Sequence, residues 1–459
     1  MPRLTFVRRP AVPLALAAVL AAIALPGLST TAAAGPGRPA MPVQPAASSL
    51  QVVGISVPSA LDAAPFDRSR SVKVPTGWTV SVVARPKKAR LEIATPDGRL
   101  LVSRPEYGLV TRLTPNKRGR PTSSNLVTGL RQPHGMAFDG STLYIAESNR
   151  IDSYTYSKGK VGKRHTVLSG LPDSKSKDLK GAYAHALKSV AVGKDHELYI
   201  SVGSTQNVSP DDRNLTPQRA AVLKVAKGKH TATVFSRGVR NGTGLAVAPD
   251  GALWTAVNNR DNVEYPYHRD YDGTGSQDDF GKVITAYVND HPIEPLAKLT
   301  RGRDLGWPYC NPNPDTGPDA GTRGTTLDYS NRPFVRDAEL DADGSKLDCS
   351  ALAPLEQGLP AHSAPLGLAF TRSDLPGIGR GALVGVHGSW NRTPPREPEV
   401  AFFSYTNGVM GGQRTIMSGF QNSDGSRWGR PVAAIEGADG AIYVSDDTAG
   451  AIYRLAPPA

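Results

Sequence analysis

One recurring pattern limits the fold of this chain more than any other feature. Six segments each read as a short apolar strand, a tight turn, a second strand, a polar loop and usually a third strand. They are "ARLEIATPDGRLLVSRPEYGLVTRL" from Ala89, "PHGMAFDGSTLYIAESNRIDSYTY" from Pro133 and "HALKSVAVGKDHELYISVGS" from His185. The others are "GTGLAVAPDGALWTAVNNRDNV" from Gly242, "PLGLAFTRSDLPGIGRGALVGVHGSWN" from Pro365 and "PVAAIEGADGAIYVSDDTAGAIYRL" from Pro431. Asp-Gly or a similar pair makes the turn, because these residues tolerate positive φ. No strong helical pattern intervenes. A unit of this size cannot bury both faces alone, so the units must pack on one another. The expected fold is all-β, a six-bladed β-propeller of four-stranded antiparallel blades. A β-helix is the competing arrangement, but its coils would be shorter and more uniform.

The ends and the gaps frame that domain. Arg3, Arg8 and Arg9 precede an apolar run and the small residues "STTAAAG", the pattern of a secretory signal peptide over residues 1–34. A retained membrane anchor is the alternative. Without it the exported chain has no integral membrane domain. "GPGRPAMPVQPAASS" reads as the start of a Pro/Ala-rich linker, 35–70, with the propeller over 71–459. The longest gap between units, from Asp261 to His362, holds Cys310 and Cys349, the two cysteines of the chain. In an exported protein such a pair is more often a disulfide than a metal site. The net charge of +12 is scattered, with no arginine-rich helix or aromatic-basic strip, so nucleic acid is not the expected partner. Anionic small ligands or envelope polymers fit better.

In a propeller the innermost strand of each blade lines the central channel, so the residues just before it stand at a channel mouth. Arg90, His134, His185, the pair Arg240–Asn241, His362 and Arg430 all hold that position. Lys188 follows His185 closely, and Trp390 in "GSWNR" offers a flat ring for stacking.

The segments "GVRNGTGLAVAPDGALW", "AHALKSVAVGKDHELYISVG", "GWPYC", "AHSAPLGLAF", "HGSWNR" and "GRPV…DGAIYVSDD", in this order, resemble the pyrroloquinoline-quinone-dependent sugar dehydrogenases. The sorbosone dehydrogenase-like branch is more similar than the soluble glucose dehydrogenase branch. The resemblance implies an exported six-bladed propeller that oxidises a sugar or aldose, with the quinone and calcium as cofactors. It places the general base on His185 and the arginine that touches both quinone and substrate on Arg240, with Asn241 beside it. The calcium-proximal loop falls on Asn258 to Asp261, so the metal is expected at Asn259 and Arg260. Cationic cofactor contacts fall near Ser389 to Arg392, and on Arg427 and Arg430. Ala184 stands where the glucose dehydrogenase branch has an acidic residue. Asn259–Arg260 replace that branch's Gly-Pro.

These residue types suit the chemistry. A base that is neutral near working pH suits an imidazole. Guanidinium groups bind the carboxylates of the quinone bidentately and keep their charge. Arg90, Lys188, His362, Trp390 and Arg392 complete the expected cofactor set. No "CxxCH" haem motif occurs, so electrons are expected to leave to a separate acceptor. Two other readings compete: a metal-dependent lactonase-type hydrolase, and a non-catalytic carbohydrate- or envelope-binding propeller. The acidic segment from His268 reads as a solvated turn or, alternatively, a surface calcium loop.

Overall fold

The computed structural model describes residues 49–458, apart from 117, 118, 177, 178, 180, 182 and 276. The expected signal segment and its anchor alternative lie outside the described residues. Six antiparallel sheets form the six blades of a propeller. The innermost strands are Glu92–Ala94, Met136–Asp139, Ser189–Val192, Gly244–Val247, Pro365–Phe370 and Pro431–Glu436. They are the first strands of the six repeated segments, in order. The one α-helix among the described residues is a single turn, Thr285–Val288. Among them, no helix is long and apolar enough to cross a membrane.

The turn chemistry works as read. In blades 1, 4 and 6, Gly98, Gly251 and Gly440 sit at φ +79°, +96° and +73°, where a side chain is strained. The aspartate before each accepts a local hydrogen bond; Asp250 Oδ1, for example, takes the Ala252 amide at 3.0 Å. Blade 3 uses Asp195 and then His196, at φ +61°. The His196 ring is held by the Asp139 carboxylate of blade 2, 2.8 Å away.

Packing between blades supplies the core. Ala137, Ile151 and Leu168 of blade 2 interlock with Val190, Ile200 and Leu223 of blade 3. Near the axis the inner strands approach closely. A Cβ on Gly135 would lie 2.4 Å from Ser189 Cα, so only glycine fits there. The strands leave a narrow axial cavity of about 60 Å³, lined by Glu92, Met136, Val190, Leu245, Leu368 and Ala434 among others. Burial pushes the Glu92 carboxyl well above the usual range.

The last blade is built from both ends of the domain. Its outer strand, Thr79–Ala84, pairs with Ala451–Ala456. The linker expectation needs correction here. Leu50–Gly54 forms a strand paired with Ser71–Pro75, and Phe66 is buried against Trp428 and Tyr453. This N-terminal hairpin seals blades 5 and 6 because Val72, Val74 and Trp78 join the cluster of Phe402, Met417 and Val444.

Blade 4 carries the long insertion. Between Leu253–Ala256 and Leu355–Leu359 lie its third strand, Glu294–Leu299, and two short ladders. A tyrosine-rich cluster of Tyr265, Tyr271 and Tyr287 packs there too. Cys310 and Cys349 form the expected disulfide, with Cα atoms 5.7 Å apart.

Candidate active site

His185 stands at the head of the blade 3 inner strand. Its Nδ1 lies 2.9 Å from the Ser204 carbonyl and 2.9 Å from Ser204 Oγ. A carbonyl only accepts, so Nδ1 carries the proton and Nε2 keeps its lone pair. Ser204 Oγ in turn donates to the Gln206 carbonyl. Burial, and then the nearby Arg240 charge, lower the His185 pKa to about 3, so the ring is neutral. Gly203 makes this packing possible. A Cβ there would lie 2.6 Å from His185 Cβ and 3.0 Å from Asn241 Oδ1.

Arg240, at the head of the next inner strand, is joined to this group through the Ser204 amide, which donates to the Arg240 carbonyl at 2.7 Å. Its Nε and Nη2 donate to the Asn207 carbonyl and Oδ1, and Nη1 donates to the Asn258 carbonyl. Burial lowers its pKa to about 10, so it stays cationic. Asn207 Oδ1 also accepts the Asp261 amide, and its Nδ2 donates to the Asp261 carbonyl. The Asp261 carboxylate lies 3.4 Å from His362 Nδ1. His362 Nε2 donates to the Val288 carbonyl at 2.7 Å. Burial alone would lower the His362 pKa, but Asp261 and Glu294 outweigh it and raise it. Both ring nitrogens of His362 are thus engaged, Nδ1 toward Asp261 and Nε2 toward the Val288 carbonyl. Glu294, buried behind it, is pushed up to about 7 by burial, against the Asn259 amide and His362. Asn241 is buried beside Arg240, and its carbonyl accepts the Asn258 amide.

The loop after the second strand of blade 5 reaches the same mouth. The amides of His387 and Gly388 donate to the Ala364 and Ser363 carbonyls, next to His362. Arg430 donates to the carbonyls of His387 and Gly388, at 2.8 and 3.1 Å. Arg427 donates to Gln421 Oε1 and to the Ser389 and Arg396 carbonyls.

The expected cations thus divide into two sets. Arg90 is ion-paired with Asp447 at 2.7 Å, and His387 Nε2 donates to the other oxygen of that carboxylate at 2.9 Å. Arg392 is paired with Asp290. Lys188 is fully buried: Nζ donates to the carbonyls of Pro172 and Ala186, with the Tyr183 ring 4.6 Å away. Burial lowers its pKa to about 7. In contrast, Arg240, Arg427 and Arg430 meet only neutral acceptors. Among the described residues none of the three is in an ion pair. Burial, and then repulsion from Arg427, lower the Arg430 pKa. The neighbouring pair Arg427 and Arg430 suits a ligand with carboxylates.

The expected metal loop behaves differently. Arg260 is buried in ion pairs with Asp337 and Glu339, at 2.5 and 2.6 Å. Asn259 Nδ2 donates to the Ile293 carbonyl, and its Oδ1 accepts the Arg260 amide. The Arg260 guanidinium has no acceptor and cannot ligate calcium, and Asn259 Oδ1 already accepts one hydrogen bond. Among the described residues no group of three His, Cys, Asp or Glu side chains could hold a metal. These two side chains alone do not build a calcium site.

Trp390 is 73% exposed, so it packs into no blade. Sequence reasoning missed Ser204, Asn207, Asp261's bond to His362, and Glu294. Asn207 and Ser204 follow the second strand of blade 3, so a search of the loops at this mouth would have found them. Glu294 carries no such signal.

A family model described as TrAA12-like matches residues 72–457. The pyrroloquinoline quinone-dependent pyranose dehydrogenase of Coprinopsis cinerea is 24% identical over 411 residues, covering 78% of this chain. This chain spans about half of that relative, 51%. An uncharacterized protein of Borreliella burgdorferi is 23% identical over 415 residues, covering 86% of this chain and 94% of its own. The holo quinone domain of the C. cinerea enzyme superposes with a TM-score of 0.65 at 21% identity, covering 84% of this chain and 96% of that one. A calcium structure of the Trichoderma reesei family AA12 protein gives 0.66 at 21%, with coverage of 84% and 96%. At these identities the structural likeness shows the fold, whereas the family match spans nearly the whole propeller. The chain belongs to the TrAA12-like family, within the pyrroloquinoline-quinone-dependent sugar dehydrogenases.

Proposed function

We propose that this protein is an exported quinoprotein that oxidises a pyranose sugar at its anomeric carbon. Pyrroloquinoline quinone, when bound, supplies the hydride acceptor. One observation carries the reading. A neutral imidazole with an unprotonated Nε2 stands beside the unpaired Arg240 guanidinium, and Arg427 and Arg430, a second neighbouring pair, likewise bond only neutral acceptors. Arg240, Arg427 and Arg430 would hold the quinone carboxylates. His185 Nε2 would accept the proton of the anomeric hydroxyl, with Ser204 fixing the tautomer. Arg240, anchored on Asn207, keeps a positive charge where negative charge develops on reduction. The disulfide and the signal-like leader support an extracytoplasmic location. The electrons then pass to a separate acceptor.

The test is a titration of the purified protein with the quinone, read by absorbance and by dye-linked oxidation of glucose and other aldoses. Arg427→Gln and Arg430→Gln are each expected to weaken quinone affinity about tenfold or more, since each removes a charge-assisted contact of about 1.5–3 kcal/mol. Arg90→Gln, whose charge Asp447 already neutralises, should leave affinity within about twofold. A protein that binds no quinone would replace this reading with a non-catalytic binding propeller, and unchanged affinity in both variants would remove Arg427 and Arg430 from the quinone site.

A further inference from the structure

Glu92 opens the inner strand of blade 1 and lines the narrow cavity on the propeller axis. It is 7% exposed, and both of its carboxylate oxygens lie out of water without a hydrogen-bond partner. Buried polar groups are almost always paired, so this one needs a reason. Among the described residues no lysine, arginine or histidine lines the cavity. The Ser445 amide is the one neighbour that favours the charged form. Burial alone favours the neutral acid, whose second oxygen would still lack a donor.

The other side chains on this wall are apolar or accepting. Ser189 Oγ donates to the Thr243 carbonyl at 2.6 Å, and Thr243 Oγ1 donates to the Leu366 carbonyl at 3.0 Å. Both residues line the cavity, and with their hydrogens engaged the hydroxyls have only lone pairs left to offer. Each of the six inner strands is the last strand of its sheet, so one row of its main-chain groups is left toward the axis. The volume of about 60 Å³ has room for roughly two water-sized occupants. Glu92 also lines a wider recess of about 350 Å³, together with Val192, Val247 and Phe370 at the far ends of their strands. That recess lies opposite the strand heads that carry His185 and Arg240, and it gives the cavity a route to solvent.

An unpaired carboxylate among neutral acceptors suits a cation, and charge decides which class. One carboxylate balances one positive charge. A divalent ion would bring a surplus charge into an apolar hub, and calcium takes about six to eight oxygens, several of them commonly from carboxylates.

We propose that the axial cavity binds a monovalent metal cation, sodium or potassium. Glu92 is its anionic ligand, and Ser189 Oγ, Thr243 Oγ1 and axis-facing carbonyls are its neutral ones. The ion ties blades 1, 3 and 4 together at the hub. The site is separate from the loop at Asn259 and Arg260, and it does not depend on the sugar-oxidising reading.

The test measures Tm of the full-length protein, without quinone, in sodium, potassium and choline chloride at one ionic strength. Sodium or potassium is expected to raise Tm by about 1–2 °C for each tenfold rise in concentration above Kd, and choline is not. Glu92→Gln, nearly the same in shape, should remove that dependence. Crystals soaked in rubidium chloride should show an anomalous peak on the axis between Glu92 and Ser189, absent from crystals of Glu92→Gln. Equal Tm in the three salts, with no rubidium peak, would overturn the site and leave Glu92 a neutral acid beside water. A salt dependence that survives in Glu92→Gln would overturn it by placing the ion elsewhere. A larger shift with calcium, lost in Glu92→Gln, would overturn the monovalent assignment. Should Glu92→Gln fail to fold, the rubidium peak in the wild type decides alone.

Discussion

His185 shows how one side chain is set for its task by its surroundings. The Ser204 carbonyl takes the Nδ1 proton, and burial with the Arg240 charge keeps the ring neutral down to about pH 3. An ordinary histidine base would lose activity below pH 6.5. Here the acid limb of kcat/KM is expected at about pH 3–4, and a limb near 6–7 in a pH profile would rule out this environment for the base. His185→Ala should lower kcat by about 10²–10⁴-fold and leave quinone affinity nearly unchanged. The same shift has a consequence for stability. The folded pKa is depressed from 6.5, so between about 3 and 6.5 the unfolded chain binds more protons at this site. The contribution is present above pH 6.5 and is lost as pH falls toward 3. Urea midpoints of the wild type should fall across that window more steeply than those of His185→Ala.

At the scale of the element, the loops matter more than the strands. Gly203 lies between the second strand of blade 3 and the loop that bears Ser204 and Asn207. Gly203→Ala places a methyl against His185 and Asn241, within 2.6 and 3.0 Å. The expected cost is about 1–3 kcal/mol of stability and a rate loss on the order of 10²-fold from displacement of the base. Unchanged kcat in this variant would mean that His185 does not act from its present position. The insertion of blade 4 depends on another local device. The Cys310–Cys349 bridge closes a loop with a sequence separation of 39. Cys310→Ser/Cys349→Ser is expected to lose up to about 4 kcal/mol of stability in denaturant titrations.

The same scale explains what could be read from the sequence. The inner hairpins were legible because short apolar runs and Asp-Gly turns are local signals. The heads of the strands were legible too, which brought His185, Arg240, His362 and Arg430 to one mouth. The partners were not. Arg240, Arg427 and Arg430 are fixed largely by main-chain carbonyls of distant loops, which no residue type announces. Arg90 and Arg392 read as equal candidates until Asp447 and Asp290 appeared beside them. The ladders inside the insertion, such as Asp315–Thr316 with Thr326–Leu327, are too short to show a period. The segment from Leu50 to Phe66 looked like linker because its Pro and Ser content hid a strand whose partner lies twenty residues on.

The propeller is a ring, and a ring has one seam. Arg85 fastens it, donating to the carbonyls of Leu61, Ala63 and Ala64 on one side and Ala449 and Gly450 on the other. Arg85→Ala is expected to lower stability by about 2–3 kcal/mol without changing kcat for the loaded enzyme, measured by urea unfolding and by assay. A stability unchanged by that substitution would mean that strand pairing alone secures the seam.

The seam also sets a schedule. Thr79–Ala84 is among the first parts of the propeller to be synthesised, and its partner Ala451–Ala456 is nearly the last. Blades 1 to 5 can form as they emerge from the ribosome, but the early strand must wait for almost the whole propeller. A nascent chain that stalls before Ala451–Ala456 therefore holds five blades and two unpaired edges, open to misassembly with neighbouring chains until that strand arrives.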